Sequence, residues 1–322
     1  MRVSEAGSMK HPTYLWWNGE LRRWEDATIH VTELGWSTVG AVFEGIRAYA
    51  AADGGDLSVF RLREHLERLE RSMRLVRLKL DYSLDDLTEA ILDLLHANGT
   101  REDTYIRPLA YTADTSGKRF AQLGNTAALL INTAPMPSHL LSGETGTAKI
   151  SSWRRISEDV MPPRIKNLSN YRNGQLANFE AHLDGYDTAL LLNRQGTVAE
   201  GPGSCVMMVV GGALITPDVG SSILESITRD ALLTLAREEL GIPVVERPID
   251  RTELYVADEV FTCGTAAEIS PIVSVDKYQI GSGEIGPITR RLERVFVDVL
   301  RGGESRYAHW RTPVPTVATA SV

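Results

Sequence analysis

The sequence has few cysteines and no long apolar run, and its basic residues do not outnumber the acidic ones. Cys205 and Cys263 are the only cysteines, and neither has a Cys or His at the spacing of a metal site. Both are therefore predicted to be buried, reduced thiols. The longest apolar stretches, such as Val206 to Ile215, are shorter than the roughly 20 residues of a membrane helix.

The charge balance is acidic, with 34 basic against 42 acidic residues and a formal charge of -8. The basic residues are scattered, so nucleic acid is not an expected partner. The expected partners are small molecules and further copies of the chain. The first residues, MRVSEAGSMKHP, lack the apolar core of a secretory signal, which favours a cytoplasmic location. With 322 residues, two domains are expected.

The first domain is predicted to be α+β and to span residues 1–134. Asn18-Gly19 suits a tight hairpin turn between two short strands. Apolar residues at steps of three and four from Leu62 predict an amphipathic helix. A second helix begins after Ser83, which Asp86 can help to cap.

A Pro-, Gly- and Ser-rich segment, residues 135–146, is the predicted interdomain linker. Residues 147–302 alternate short strands and helices, which predicts a second, larger α+β domain with a barrel-like sheet. The tail, 303–322, contains prolines and small residues and is predicted to be poorly ordered.

Lys166 stands between a predicted strand and a helix, in PPRIKNLSNY, and is followed by Tyr171. Desolvation in a cleft would lower the pKa of this lysine and make it a nucleophile or Schiff-base former. A solvated surface charge is the alternative. Glu200 precedes Gly201-Pro202-Gly203, where a ligand can approach the backbone and the carboxylate could pair with a ring cation. It could also be an ordinary polar residue at a strand end.

Two further segments could bind anions. Ser226, Ile227 and Thr228 begin a helix, so their amides suit an anion, although capping alone would explain them. The run from Cys263 to Ala267 offers small side chains and a hydroxyl, although a tight strand exit would explain it too.

His65 and Arg68 lie one turn apart beside the apolar face of the first helix. A half-buried Arg68 would need an anion, either a ligand or a neighbour such as Glu64 or Glu67.

Together these segments resemble the class IV, or branched-chain-like, pyridoxal phosphate aminotransferases, from about Tyr14 to Leu300. The motifs are WWNGE, VFEGIRAY, FRLREHLERL, YIRPL, the lysine segment, VAEGPGS, ILESITRDA and LYVADEVFTCGTAAEISPI. The resemblance implies an α+β fold of type IV, in which a small domain is followed by a larger pseudo-barrel domain. It also implies pyridoxal 5'-phosphate between the domains and a homodimer or higher homo-oligomer.

The resemblance implies roles for single residues. Lys166 matches the lysine that forms the Schiff base and moves the proton, Tyr171 the tyrosine at the phenolic oxygen, and Glu200 the carboxylate at the ring nitrogen. The residues that match the phosphate cup are Arg68, Ile227, Thr228 and Thr265. Those that match substrate-binding positions are Phe43, Arg107, Thr265 and Ala266.

Some positions depart from the branched-chain pattern. Lys166-Asn167-Leu168 resembles the D-amino acid and (R)-amine branches, Thr38 stands where an aromatic residue is expected, and Ser226 replaces a glycine. Arg107 and the turn from Gly264 to Ala267 are retained, and in branched-chain enzymes these parts receive carboxylates. Arg107 is expected to point into the cleft, beside Tyr105, unless it pairs with Asp103 or Asp114.

The predicted activity is therefore a transaminase that passes an amino group from an L-amino acid, branched-chain-like or glutamate, to a 2-oxo acid by a ping-pong mechanism. A D-amino acid or (R)-amine transaminase and a lyase similar to aminodeoxychorismate lyase are alternatives within the same fold. A non-catalytic ligand-binding module is the alternative from another class.

Overall fold

The structure is a computed structural model that describes residues 11–52, 54–112 and 127–315, with side chains of 33–36 excepted. Within these ranges no helix has both the length and the apolar character needed to cross a membrane. The fold is α+β, with two mixed layers of sheet and helix.

The helices and strands of the described residues have the following bounds. The helices are α1 (Leu34–Val39), α2 (Leu62–Leu75), α3 (Leu84–Ala97), α4 (Tyr171–Leu183), α5 (Ile227–Glu238), α6 (Arg251–Tyr255) and α7 (Pro287–Arg301). The strands are β1 (Tyr14–Trp17), β2 (Glu20–Arg23), β3 (Val42–Phe43), β4 (Ile46–Ala50), β5 (Leu57–Phe60), β6 (Thr104–Thr112), β7 (Ala127–Pro135), β8 (Gly146–Arg154), β9 (Thr188–Leu192), β10 (Cys205–Val210), β11 (Ala213–Thr216), β12 (Val244–Glu246), β13 (Glu259–Gly264), β14 (Glu268–Val275), β15 (Tyr278–Gln279) and β16 (Arg311–Pro313).

The first sheet has the strand order β16-β5-β4-β6-β7-β1-β2, and β3 pairs with β6. Its opening hairpin turns at Asn18 and Gly19, both at positive φ, as the sequence predicts. The predicted apolar stripe of α2 is buried in the core beneath this sheet. Ser83 and Asp86 form a capping box at the start of α3.

The second sheet has the order β12-β11-β10-β13-β14-β8-β9, and β15 pairs with β14. Helices α5 and α7 cover one part of it, where Leu232, Phe261 and Phe296 share a buried cluster. Helix α4 packs against β8 and β9 through alanines. The segment from Met136 to Thr145 connects the two sheets, and the boundaries predicted at 134 and 146 stay predictions.

The expectation of a poorly ordered tail is wrong for residues 303–315. A 3-10 helix, Ser305–Trp310, leads into β16, which pairs antiparallel with β5 of the first sheet. Trp310 packs edge-on against Phe60, and Val314 is buried in the core of the first sheet. Pro313 is tolerated because β16 is an edge strand. The long-range apolar contacts order a segment whose local composition suggests disorder.

Candidate active site

A cavity of about 230 Å³ lies between the two sheets and is lined by residues of both. From the first sheet and the helix beside it come Phe43, Gly45, Arg68 and Tyr105. The second sheet and its loops contribute most of the remainder, including Arg155, Lys166, Tyr171, Glu200, Ser226, Gly264, Thr265 and Ala266. Of the residues predicted for the site, Arg107, Ile227 and Thr228 are not among those that line this cavity in the described part of the chain.

Two hydrogen bonds hold the backbone of Lys166 at the cavity wall, and its side chain lines the cavity. Its carbonyl accepts a hydrogen bond from Phe43 N at 3.0 Å, and its N–H donates to Ser72 Oγ at 3.3 Å. The amine Nζ donates to Tyr171 Oη at 2.7 Å and lies 4.9 Å from the centre of the Phe43 ring. The structure therefore brings Lys166 and Tyr171 together in one cavity.

The pKa of Lys166 differs from the expectation. Burial disfavours the charged amine, but the oxygen of Tyr171 and the carboxylate of Glu44 outweigh burial and raise the pKa of Lys166 above its usual value. The expected lowering is therefore wrong for the free amine, because the sequence did not reveal how much negative charge surrounds it.

A short 3-10 helix, Leu168–Asn170, brings Lys166 and Tyr171 together across five positions. Asn167 Oδ1 accepts from Ser169 N at 2.8 Å and caps this turn. Asn170 Nδ2 donates to the carbonyls of Pro162 and Ile165, which holds the loop before the lysine. The polar run after Lys166 thus has a structural role in orienting it.

Glu200 lies in the loop that enters β10, and its side chain is 6% exposed. The residues before it form isolated bridges, such as Leu192 with Val198, rather than a continuous strand. Glu200 Oε2 accepts from Leu224 N at 3.0 Å, and Oε1 lies 2.5 Å from Arg155 Nη2. Sequence reasoning missed Arg155, because the 45 positions between the two residues leave no local signal.

Glycines allow the loop at Glu200 to close on its neighbours. A Cβ at Gly174 of α4 would lie 2.4 Å from the carbonyl oxygen of Pro202, so the helix can pack against this loop only without a side chain there. A Cβ at Gly201 would lie 2.7 Å from Ser204 Oγ. The close packing fixes the backbone at the cavity wall.

The first turn of α5 presents donors that suit an anion. Ser226 caps the helix by accepting from Arg229 N at 3.2 Å. The amides of Ile227 and Thr228 have no hydrogen-bond acceptor within the described residues. Free amides at a helix N-terminus attract negative charge, as the sequence predicts for this segment.

Arg68 is more deeply buried than expected, and its partner is Glu44 rather than Glu64 or Glu67. Its Nε and Nη2 donate to the two Glu44 oxygens at 2.7 and 2.8 Å, and Nη1 donates to the carbonyl of Glu225 at 2.7 Å. Glu44 follows Phe43 in β3, which brings it beside α2 in space. Local sequence patterns could not reveal this pair, because 24 positions separate its members.

The surroundings of Arg68 keep Glu44 ionised and His65 neutral near pH 7. Burial opposes ionisation of Glu44, but Arg68 and His65 outweigh it and hold the pKa of Glu44 well below its usual range. Burial lowers the pKa of His65 despite the adjacent Glu44, so its imidazole is neutral near pH 7 and faces Glu44 Oε2 with Nδ1 at 2.8 Å.

The turn from Gly264 to Ala267 joins β13 to β14 at the cavity, and Thr265 and Ala266 line it as predicted. The turn ends at Glu268, which has a left-handed φ of 44° and is fully buried. Cys205 and Cys263 are free thiols that lie opposite each other on the neighbouring strands β10 and β13, and both line the cavity. Burial raises the pKa of Cys205 to about 12, so its thiol is unreactive near neutral pH.

Arg107 lies on the same face of β6 as Tyr105, but its side chain is exposed. Arg107 Nε donates to Asn132 Oδ1 at 3.3 Å. The alternative partner Asp103 is paired with Arg301 instead, and Asp114 lies outside the described residues. Thr38, on α1, is also exposed.

Comparisons with known proteins all point to one family. A family model described as amino-transferase class IV matches residues 41–275. The chain is 41% identical over 302 residues to a probable branched-chain-amino-acid aminotransferase of Aquifex aeolicus, covering 94% of this chain and 96% of the relative. It is 39% identical over 308 residues to the branched-chain-amino-acid aminotransferase of Salmonella typhimurium, covering 95% and 98%.

A solved structure gives the same result. The pyridoxal phosphate form of a branched-chain amino acid aminotransferase from Thermobaculum terrenum matches with a TM-score of 0.92 and 50% identity. The match covers 95% of this chain and 99% of that one.

Proposed function

Since this chain belongs to the class IV aminotransferases, we propose that the cavity around Lys166 is its active site and that branched-chain L-amino acids are its amino donors. The chain is a pyridoxal phosphate-dependent transaminase of fold type IV. The comparisons do not favour the D-amino acid, (R)-amine or lyase alternatives.

The residues present fit the cofactor. A buried amine and a buried carboxylate line one cavity, and α5, which carries two free amides in its first turn, begins at Ser226 of the same lining. An aldehyde, a ring nitrogen and a phosphate require groups of these kinds. We assign the ring nitrogen to Glu200 and the phenolic oxygen to Tyr171. The proposed phosphate cup consists of Arg68, Ile227, Thr228 and Thr265. When bound, the cofactor supplies an electron sink for the bond that breaks at the substrate's Cα.

The contact that carries this proposal is the 2.7 Å hydrogen bond from Lys166 Nζ to Tyr171 Oη inside the cavity. We assign Lys166 as the base that takes a proton at Nζ from the substrate's Cα and later returns one. The raised pKa of the free amine suits the return step, because a protonated Nζ is the proton donor. Tyr171 holds Nζ in place, and the ring of Phe43 covers it from the other sheet.

Substrate contacts are assigned to residues of the cavity lining and to Arg107, which lies outside it. Phe43 and Tyr105 give the cavity an aromatic wall, which suits a branched aliphatic side chain. Thr265 and Ala266 are the proposed contacts of the substrate carboxylate. Arg107, exposed beside Tyr105, is the proposed contact for the second carboxylate of glutamate. Thr38 has a smaller side chain than the aromatic residue that the resemblance leads one to expect at this position.

The proposal includes a 2-oxo acid as the amino acceptor, a homodimer or higher homo-oligomer, and a cytoplasmic location. The resemblance to the class IV family supports the first two, and the sequence analysis supports the location. Light scattering coupled to size exclusion tests the assembly, and a monomer at micromolar concentration would contradict it.

A half-reaction screen tests the function. The purified protein, loaded with pyridoxal phosphate, is mixed with single L-amino acids, D-amino acids or (R)-amines, and loss of the visible absorption band is followed. We expect L-leucine, L-isoleucine, L-valine and L-glutamate to remove the band. A band that only D-amino acids or (R)-amines remove would overturn the substrate assignment, and a protein that binds no cofactor would overturn the site.

A further inference from the structure

Arg155 is a buried cation that the assignments above leave without a role. It follows β8 directly, and its N–H donates to the carbonyl of Leu192 at 2.9 Å, which fixes its backbone beside β9. Its side chain is 9% exposed and lines the cavity that contains Lys166. A buried guanidinium is costly unless an anion accompanies it.

That anion is Glu200. Arg155 Nη2 lies 2.5 Å from Glu200 Oε1, and no other carboxylate of the described residues is paired with Arg155. The second oxygen, Oε2, accepts from Leu224 N at 3.0 Å. One oxygen is thus held by a charge and the other by a backbone amide, which limits rotation of the carboxylate.

Arg155 still has donor capacity to spare. Its Nε is buried and has no hydrogen-bond partner within the described part of the chain. An ion pair that served only to stabilise the loop would be expected to satisfy this group as well, because an unpaired buried donor is destabilising. The position of the guanidinium therefore favours its contact with Glu200 over hydrogen bonds for all of its N–H groups.

We infer that Arg155 is a positioning residue that holds the Glu200 carboxylate toward the ring nitrogen of pyridoxal phosphate and balances its charge when the ring is absent. The inference rests on the proposed function, because it requires Glu200 to be the partner of that nitrogen. Without Arg155, Glu200 keeps only its contact with Leu224 N and can turn away from the ring. A smaller fraction of the ring nitrogen is then protonated, and the cofactor is released faster.

The test uses holoenzyme loaded with pyridoxal phosphate that carries ¹⁵N at the ring nitrogen. The variants are Arg155→Met, Arg155→Lys, Glu200→Gln and, as a matched control, Arg154→Met at the exposed neighbouring position. The readouts are the ¹⁵N chemical shift of the ring between pH 6 and pH 9, and the rate of cofactor release to a trapping protein. Both are independent of turnover.

We expect Arg155→Met to move the ring resonance toward that of Glu200→Gln and to speed cofactor release about tenfold or more, the equivalent of about 1.4 kcal/mol. Arg155→Lys, which keeps the charge, should lie between Arg155→Met and wild type. Arg154→Met should match wild type in both readouts.

Two outcomes separate the inference from the function on which it rests. If Glu200→Gln shifts the resonance and Arg155→Met leaves it at the wild-type position, the inference is overturned and the role of Glu200 stands. If neither substitution shifts it, the assignment of Glu200 falls, and the inference falls with it. Should Arg155→Met not fold, Arg155→Gln, which removes the charge but keeps a polar side chain, decides, because a wild-type resonance in that variant overturns the inference.

Discussion

At the scale of the residue, the site depends on charges that are paired before any ligand arrives. Arg68 is bound to Glu44 and Glu200 is paired with Arg155, and all four side chains are at least nine-tenths buried. Lys166 has a hydroxyl rather than a carboxylate as its hydrogen-bond partner. Lys166 Nζ is thus an amine of the described cavity with no carboxylate bound to it, and after loss of its proton it can react with an aldehyde.

Replacing Lys166 by Ala should abolish covalent attachment of the cofactor but not its binding, because the proposed phosphate contacts involve other residues. Borohydride reduction followed by intact-mass measurement should show the cofactor adduct on the wild type and none on Lys166→Ala. Lys149→Ala is the matched control and should keep the adduct, because Lys149, on β8, is engaged with Glu180 and Asp184 at the end of α4. An adduct on Lys166→Ala would mean that another lysine reacts.

Arg107→Ala should raise the KM for glutamate and 2-oxoglutarate and spare leucine and valine. The expected loss is about 1.5 to 3 kcal/mol, the range for a hydrogen bond to a charged group. Steady-state kinetics with both substrate classes measure it, and Arg101→Ala, at another exposed arginine, is the control. Equal losses for acidic and aliphatic substrates would instead show that Arg107 has a structural role.

At the scale of the element, a partly buried polar clamp holds α4, the helix that begins at Tyr171, against β8. Glu180 accepts from Lys149 Nζ at 2.9 Å, from Ser151 Oγ at 2.5 Å and from Ser152 N at 3.0 Å. Although burial opposes its charge, Ser151 and Lys149 lower the pKa of Glu180 to about 2. The position of Tyr171 thus depends on a carboxylate more than two helical turns away.

Glu180→Gln should reduce the free energy of unfolding by about 1.5 to 3 kcal/mol at pH 7. A carboxyl whose pKa is lower in the folded protein stabilises it above the unfolded pKa of 4.5, and this contribution is lost as the pH falls toward about 2. Urea unfolding followed by circular dichroism from pH 7 to pH 3 should therefore show the variant and wild type converging on acidification. A difference that stays constant with pH would contradict the assignment.

The neighbouring Asp184 provides the control. It also contacts Lys149, but its side chain is half exposed. Asp184→Asn should cost at most about 1 kcal/mol, as exposed ion pairs do.

At the scale of the whole molecule, a buried ionic cluster joins the two sheets. Arg47 of β4 and Glu268 of β14 are 1% and 0% exposed in their side chains, with Arg47 Nη1 2.9 Å from Glu268 Oε1. Within the described residues Arg47 Nη1 has no hydrogen-bond partner, so that contact is a pairing of charges. Glu268 also accepts from Tyr49 Oη at 3.0 Å and from His139 N at 2.9 Å. Arg47 Nη2 donates in addition to the carbonyl of Met136, so the connecting segment is bound to both sheets.

Arg47→Met should reduce the free energy of unfolding by about 3 to 5 kcal/mol, because it leaves Glu268 as an uncompensated buried charge. The double variant Arg47→Met with Glu268→Gln should recover part of that loss. Arg63→Met, at an exposed helix pair, should cost about 1 kcal/mol or less. Urea unfolding measures all three, and a double variant no more stable than the single one would contradict the charge argument.

Local patterns in the sequence were enough to predict α2, α3 and the opening hairpin, and the order of motifs was enough to identify the family. Periodicity, capping and turn chemistry depend on residues within a few positions of one another, so a short stretch of sequence contains them. Lys166 and Tyr171 could be predicted to share a site for a related reason, since one turn of 3-10 helix separates them.

The tertiary structure alone decided the partners of the buried charges and the fate of the tail. Glu44 reaches Arg68 across 24 positions, Arg155 reaches Glu200 across 45, and β16 joins β5, which lies some 250 residues earlier in the chain. It also decided the direction of the Lys166 pKa, which depends on charges brought close by folding. Such contacts follow from the packing of whole sheets and helices, so they cannot be predicted from the residues that neighbour each position in the sequence.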